Sequence, residues 1–306
     1  MRAWLVLATL FAWSCGPASE HATLKSSESL SYQIGSEWGK KVVDAGAMNQ
    51  FPSLERIAQG TGRLSGGTGF YLGKFAGEHI VATNHHVCPA GFACLGGMFQ
   101  LPVIDKSFKL ARFIGTWDSV DLSLLAITVT AQEEALLATL SNPFRFEQPI
   151  SRSQALITVG FGIAGNSKRE LVYNADEDCR VFSGRDEFRL LADPDAVNPV
   201  DYRAWSFANG CDVSHGDSGS AMIDRENGAV VGLIWTGKIP KIPEIQSSAY
   251  LDQLEAKQDP AIWTELSYAV PALKIKEALE ASLELGQIDS QRHAVIAAIL
   301  ETPPLL

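Results

Sequence analysis

The chain has 306 residues, of which 46% are hydrophobic, and it carries a formal net charge of -10. A chain of that length makes one large or two small packed units. The acidic balance argues against nucleic acid and against a polybasic membrane contact as partners, because both need a basic surface.

In chain order, the first expected element is a signal peptide over residues 1–14. Arg2 is a minimal positive start, and Ala3–Trp13 is an apolar run too short to cross a bilayer. No later stretch approaches about 18 apolar residues, so a membrane is expected only through a lipid anchor. Ala12-Trp13-Ser14-Cys15 resembles a bacterial lipobox, which makes Cys15 the candidate lipidation site. Plain cleavage near Ser14 or Ala18 is the alternative. Either way the chain is expected to be exported, as a periplasmic or outer-membrane lipoprotein or a secreted protein. Residues 15–50 are polar and rich in serine, and read as a tether or pro-segment.

Export gives the five cysteines meaning, since disulfides persist outside the cytoplasm. An odd number leaves one over, and Cys15 is that one. The other four allow three pairings. Cys88–Cys94, around the loop PAGFA, and Cys179–Cys211 are expected. The absence of any CxxC pattern speaks against a metal site, and no metal or cofactor is expected.

From Ser53 the texture is one of short β-rich runs, among them LERIAQGTGRL, GTGFYLG, HIVATNHHV, LSLLAITV, AVVGLIWTG and AIWTELSYAV, separated by Gly, Asn, Asp and Pro. That pattern predicts an all-β sandwich or barrel arrangement rather than the βαβ rhythm of an α/β protein. Helices are expected at the edges. Ala131–Ser141 suits one or two turns. Pro271–Leu285 is amphipathic, with Pro at its start and Gly286 just past its end. Ser290–Glu301 is a second C-terminal helix, capped by Asp289 or Ser290.

Three stretches carry chemistry. VATNHHVC sets two histidines, His85 and His86, where a strand should end, and a histidine near neutrality suits a general base. WDSVDLSLLAI offers Asp118, which reads as a turn residue, and Asp121. The latter directly precedes an apolar run, where a buried carboxylate can orient an imidazole. CDVSHGDSGS places Ser218 between glycines that free the backbone to aim N–H groups at one point.

Together these stretches resemble one family, the chymotrypsin-like (trypsin-fold) serine endopeptidases, in its bacterial exported branch. The resemblance is carried by Gly67-Thr68-Gly69-Phe70, Thr83-Asn84-His85-His86-Val87, Asp121-Leu122-Ser123-Leu124-Leu125, Gly216-Asp217-Ser218-Gly219-Ser220 and Gly232-Leu233-Ile234. It implies an all-β fold of two antiparallel six-stranded barrels, about residues 53–130 and 145–270, in a peptidase domain of residues 51–285 with a C-terminal helical extension over 286–306. It implies a monomeric, cofactor-free hydrolase acting on polypeptides through a Ser-His-Asp triad and an acyl-enzyme. His86, Asp121 and Ser218 take the catalytic positions. Gly216 and Ser218 give the oxyanion N–H groups, and Trp235, Thr236 and Gly237 pair with substrate backbone.

The primary pocket of such enzymes has its base six positions ahead of the serine, which here is Asp212. A carboxylate there implies cleavage after Arg or Lys. The alternatives are that Asp212 turns to bond backbone groups, or that His215 tilts preference toward acidic or polar residues. Two departures stand out. No I-V-G-G start is present, so no bridge from a freed N-terminus to Asp217 is expected. The family's disulfide beside the histidine is replaced by the Cys88–Cys94 loop.

Two other classes compete with this reading. An α/β-hydrolase esterase needs glycine where Ser220 stands, alternating helices, and a histidine after the serine, for which only His293 is available. A surface-tethered binding protein, catalytically weak or inactive on the protease scaffold, is the second alternative, since a fold does not fix its function.

Overall fold

The computed structural model describes residues 27–193, 202–286 and 288–302. The expected signal peptide and Cys15 lie outside them. The strands of the first half are β1 (Lys40–Val42), β2 (Thr61–Leu64), β3 (Gly67–Phe75), β4 (Glu78–Thr83), β5 (Met98–Leu101), β6 (Lys106–Trp117) and β7 (Leu122–Ile127). Those of the second are β8 (Leu156–Gly160), β9 (Val172–Asn174), β10 (Arg189–Ala192), β11 (Arg203–Asn209), β12 (Ala221–Asp224), β13 (Val230–Thr236) and β14 (Ser267–Pro271).

Strands β2-β3-β4-β7-β6-β5 close into a barrel in which every pair is antiparallel. Closure needs bent strands. The long β6 supplies two bends, where its register against β7 shifts between Leu110 and Arg112 and between Phe113 and Gly115. β3 supplies another between Tyr71 and Gly73. Alternation along the strands sorts the apolar side chains into two sets. Tyr71, Val81, Leu125 and Ile127 cluster with Phe99 and Phe108 on one face. Phe70, Leu72, Ile80, Ala82, Leu124 and Ala126 join the larger core that contains Val159 and Leu233 of the other sheet and Val295 and Ile296 of the last helix. This double burial explains why β7 is apolar at nearly every position and buried at all of them.

The second unit is an antiparallel sheet in the order β1-β9-β8-β12-β13-β14-β11-β10. Its six inner strands are extended by β1 at one edge and β10 at the other, so it is an eight-stranded sheet where a six-stranded barrel was expected. The segment Arg180–Val181 bridges Ala155 on one side and Asn209 on the other. The Cys179–Cys211 disulfide lies at the same place, and Cys88–Cys94 closes the loop after β4.

The N-terminal region differs from its expected role. Ile34 and Trp38 are buried, and β1 pairs with β9 through Lys40–Asn174 and Val42–Val172. Lys40–Val42 are therefore a strand of the second sheet, and the segment before them packs through Ile34 and Trp38 and is not a free tether. LERIAQG, read as β-rich, is instead the helix Pro52–Gly60. Pro52 sits in its first turn, and Leu54, Ile57 and Ala58 are buried at helical spacing. At the other end, the helix Ala272–Glu284 follows β14, and Asp289 caps the helix Ser290–Leu300 by accepting from the N–H groups of Gln291 and Arg292. Among the described residues no helix is long and apolar enough to cross a membrane.

Candidate active site

The site forms where the ends of the barrel strands meet the loop before β12. β4 ends at Thr83, whose hydroxyl donates to the Thr68 carbonyl at 2.7 Å. Buried Asn84 then donates its side-chain N–H to the Asp121 carbonyl at 2.9 Å, and the His85 N–H donates to the same carbonyl at 3.0 Å. These bonds fix the turn that presents the two histidines.

Asp121 follows a short 3-10 turn, Asp118–Val120, and adopts the left-handed conformation (φ 38°) that a short acidic side chain tolerates. The left-handed step turns the chain into β7 and leaves the carboxylate fully buried. Its Oδ1 accepts the His86 backbone N–H at 3.0 Å and its Oδ2 accepts the His86 ring Nδ1–H at 2.8 Å. An ionised carboxylate only accepts, so the proton of neutral His86 sits on Nδ1 and the Nε2 lone pair is free. Burial disfavours the imidazolium, but the Asp121 hydrogen bond and charge, with the Asp193 charge, outweigh it. The His86 pKa is raised above its ordinary value.

His85 points elsewhere. Its Nδ1 lies 2.7 Å from the Thr116 hydroxyl, and its ring stacks on Tyr202 at 5.8 Å. Tyr202 also meets His86 edge-on at 6.5 Å and Trp235 at 5.9 Å. Burial, then the negative charge of Asp121, raises the Tyr202 pKa and keeps the phenol neutral. Nothing in the sequence marked Tyr202 as a neighbour of the site, because ring packing across two sheets leaves no local pattern.

Ser218 lies in a turn bracketed by Gly216 (φ +95°) and Gly219 (φ +89°). These are left-handed positions that glycine occupies without strain. A Cβ at Gly219 would also stand 2.0 Å from the Thr68 carbonyl oxygen. The Ser218 carbonyl accepts the Thr68 N–H at 2.9 Å, and the Thr68 hydroxyl donates to the Gly216 carbonyl at 2.7 Å. Residue 68 thus pins the start of β3 to the turn that carries the serine. Among the described residues, no acceptor takes the N–H of Gly216 or of Ser218.

His86 and Ser218 line one cavity of about 250 Å³. Trp235, Thr236 and Gly237 at the end of β13 form one wall, Ser214 and His215 another, and Tyr32, Asp193 and Ile239 complete it. The Trp235 indole N–H donates to the Ser206 hydroxyl at 2.9 Å, which fixes that wall.

Asp212 is not in this cavity, contrary to its expected place at a pocket base. It is fully buried, Oδ1 accepts the Ile34 N–H at 2.8 Å, and Oδ2 accepts the Gly39 N–H at 2.6 Å. Burial, with the charge of Asp176, pushes its pKa well above the usual carboxylate range. Fully buried and absent from the lining of the cavity, the Asp212 carboxyl group is out of reach of a substrate cation. The backbone-bonding alternative is the one realised, and with it the basis for Arg or Lys preference is gone.

A closed six-stranded barrel, a second antiparallel sheet and few helices make this the chymotrypsin-like fold of serine proteases. No family model and no curated protein sequence matches the chain. Among solved structures it is similar to the inactive form of the Rv3671c protease, with 19% identity over 78% of this chain and 95% of that one and a TM-score of 0.50. The active form of Rv3671c from M. tuberculosis matches over 86% and 89% at 19% identity with a TM-score of 0.47. An HtrA-type protease, AlgW, with a tripeptide matches over 77% and 64% at 14% identity with a TM-score of 0.47.

Proposed function

We propose that the protein is an exported serine endopeptidase. The observation that carries this reading is the ordered imidazole: Asp121 holds Nδ1–H of His86, leaving Nε2 as a base in the cavity that Ser218 also lines. The Ser218 Oγ attacks a peptide carbonyl while His86 Nε2 takes its proton, and Asp121 stabilises the imidazolium that results. The N–H groups of Gly216 and Ser218 receive the oxyanion. Loss of one such donor typically costs about 10²–10³ in rate. His86 returns the proton to the leaving amine, giving an acyl-enzyme, and water attacks that ester by the same route in reverse. Polypeptide substrates run along Trp235–Gly237 and pair with that backbone. The chain acts as a monomer, and the two disulfides suit an oxidising compartment outside the cytoplasm. A lipid on Cys15 would hold it at a membrane.

Labelling with a peptidyl phosphonate, followed by mass mapping, tests the assignment. Modification at Ser218 in the wild type and its absence in Ser218→Ala and His86→Ala are expected. A folded wild-type protein that takes no label would make this a binding protein on a protease scaffold.

A further inference from the structure

Asp217, the residue before Ser218, is almost fully buried, and so is the residue that neutralises it. That residue is Lys40, whose ammonium donates to Asp217 Oδ2. Alternation along β1 sends Lys40 inward while Lys41 stays exposed. The contact is sealed by Gly162, where a Cβ would stand 2.0 Å from the Lys40 nitrogen and 2.1 Å from Asp217 Oδ2. The Asp217 carboxylate also receives the Gly162 N–H at 3.0 Å on Oδ1 and the Ser214 N–H at 2.8 Å on Oδ2.

The bonds to Gly162 and Ser214 place the segment after β8 beside the turn, and the next residue does the positioning. The Ile163 N–H donates to the His215 carbonyl at 2.8 Å. In a trans peptide the C=O and the following N–H point in opposite directions. Drawing the His215 carbonyl toward Ile163 therefore turns the Gly216 N–H the other way, away from Ile163. The reversed peptide would put a carbonyl oxygen where an oxyanion must sit, and that would repel it.

We propose that Lys40 is a positioning residue: its ammonium holds Asp217, and through Asp217 and the Gly162–Ile163 segment it fixes the His215–Gly216 peptide so that the Gly216 N–H serves the oxyanion. The proposal rests on the peptidase reading above. It also gives the N-terminal segment a task, since an internal lysine supplies a buried positive charge with no cut to free an N-terminus. A buried charge left without its partner is strongly destabilising, whereas neutral replacement of both partners is often tolerated. The two effects can therefore be separated.

The experiment compares wild type with Lys40→Met, Lys40→Arg and the double variant Lys40→Met/Asp217→Asn. It measures kcat and KM on a peptide substrate, thermal melting, and crystal structures of the wild type and the double variant. Lys40→Met should lose about 10²–10³ in kcat, the effect of one oxyanion donor, with KM changed by less than about threefold. Lys40→Arg should recover part of that loss, while the double variant melts near the wild type and stays slow. Its His215–Gly216 peptide should be reversed. A double variant with wild-type kcat, or with that peptide unmoved, overturns the role of Lys40. A wild type that is inactive and unlabelled overturns the peptidase reading, and the crystal structures still decide whether Lys40 sets the peptide.

Discussion

Replacing Asp121 by Asn exchanges one carboxylate oxygen for an NH₂ group and tests the base assignment directly. Asp121 Oδ1 takes the His86 backbone N–H and Oδ2 takes its ring Nδ1–H. An amide has one oxygen for these two donors. If the oxygen stays on the backbone N–H, the NH₂ faces Nδ1 and forces the proton onto Nε2, the atom that must accept from Ser218. If the amide flips, a buried N–H loses its acceptor, at about 1–3 kcal/mol. The wrong tautomer costs about 10⁴ in kcat in a Ser-His-Asp triad, equivalent to about 5 kcal/mol of barrier. The pH profile moves as well. With Asp121 present, the His86 pKa lies above 6.5, so the acid limb of kcat/KM falls above that pH. Without the carboxylate charge the limb shifts downward. Because the folded pKa is the raised one, the pair adds stability that is fully present below the unfolded pKa of about 6.5 and is lost as pH rises through the folded value. Asp121→Asn should flatten that slope in melting temperature against pH. A loss in kcat of less than tenfold, with an unmoved acid limb, would refute this account of His86.

His85→Ala removes a bond to the Thr116 hydroxyl and a ring stacked on Tyr202, but no contact with the Asp121 carboxylate. Turnover should stay within about tenfold of the wild type, and a loss equal to that of His86→Ala in the same assay would reverse the two assignments. Asp212→Ser should leave cleavage preference in a peptide library unchanged while lowering stability by about 1–3 kcal/mol for the backbone donors it orphans. A switch in preference at the cleaved position would return Asp212 to the substrate pocket. Removing both Cys179 and Cys211, separated by 32 residues, should lower unfolding stability by about 4 kcal/mol on the loop-entropy model. Denaturant titration showing no shift would mean that the sheet edges hold that loop without help.

How much of this was legible in the sequence follows from how local each signal is. The all-β texture and the motifs around Thr83, Asp121 and Ser218 are short patterns, set by a strand end, a left-handed step and a glycine-flanked turn. The helix Pro52–Gly60 had a readable signal in Pro52 followed by Leu54, Ile57 and Ala58, but its continuation into β2 masked the change of period. Asp212 misled for the opposite reason. Its position relative to Ser218 suits a pocket base, yet what decides its role is Ile34 and Gly39, 178 and 173 residues earlier. Lys40 was hidden among polar residues in the same way. A lysine that pairs with an aspartate 177 positions away has no sequence neighbourhood to announce it, although buried Trp38 two residues before it hinted that the segment packs.

The two halves of the site depend on each other through contacts that neither half can make alone. His86 and Asp121 sit on the barrel, while Ser218 sits on a turn of the other sheet. Thr68 joins them, because its carbonyl takes the hydroxyl of Thr83 beside the histidines and its N–H and hydroxyl bond the carbonyls of Ser218 and Gly216. The same hydroxyl accepts the Phe161 N–H at 3.1 Å, next to the segment that meets Asp217. On the far side of the turn, β1 brings Lys40 to Asp217, and Ile34 and Gly39 hold Asp212 in place. The serine turn is thus gripped from one side by the barrel and from the other by the N-terminal segment. Neither grip uses a group that the proposed reaction consumes, so the turn can keep one conformation while Ser218 and His86 exchange protons.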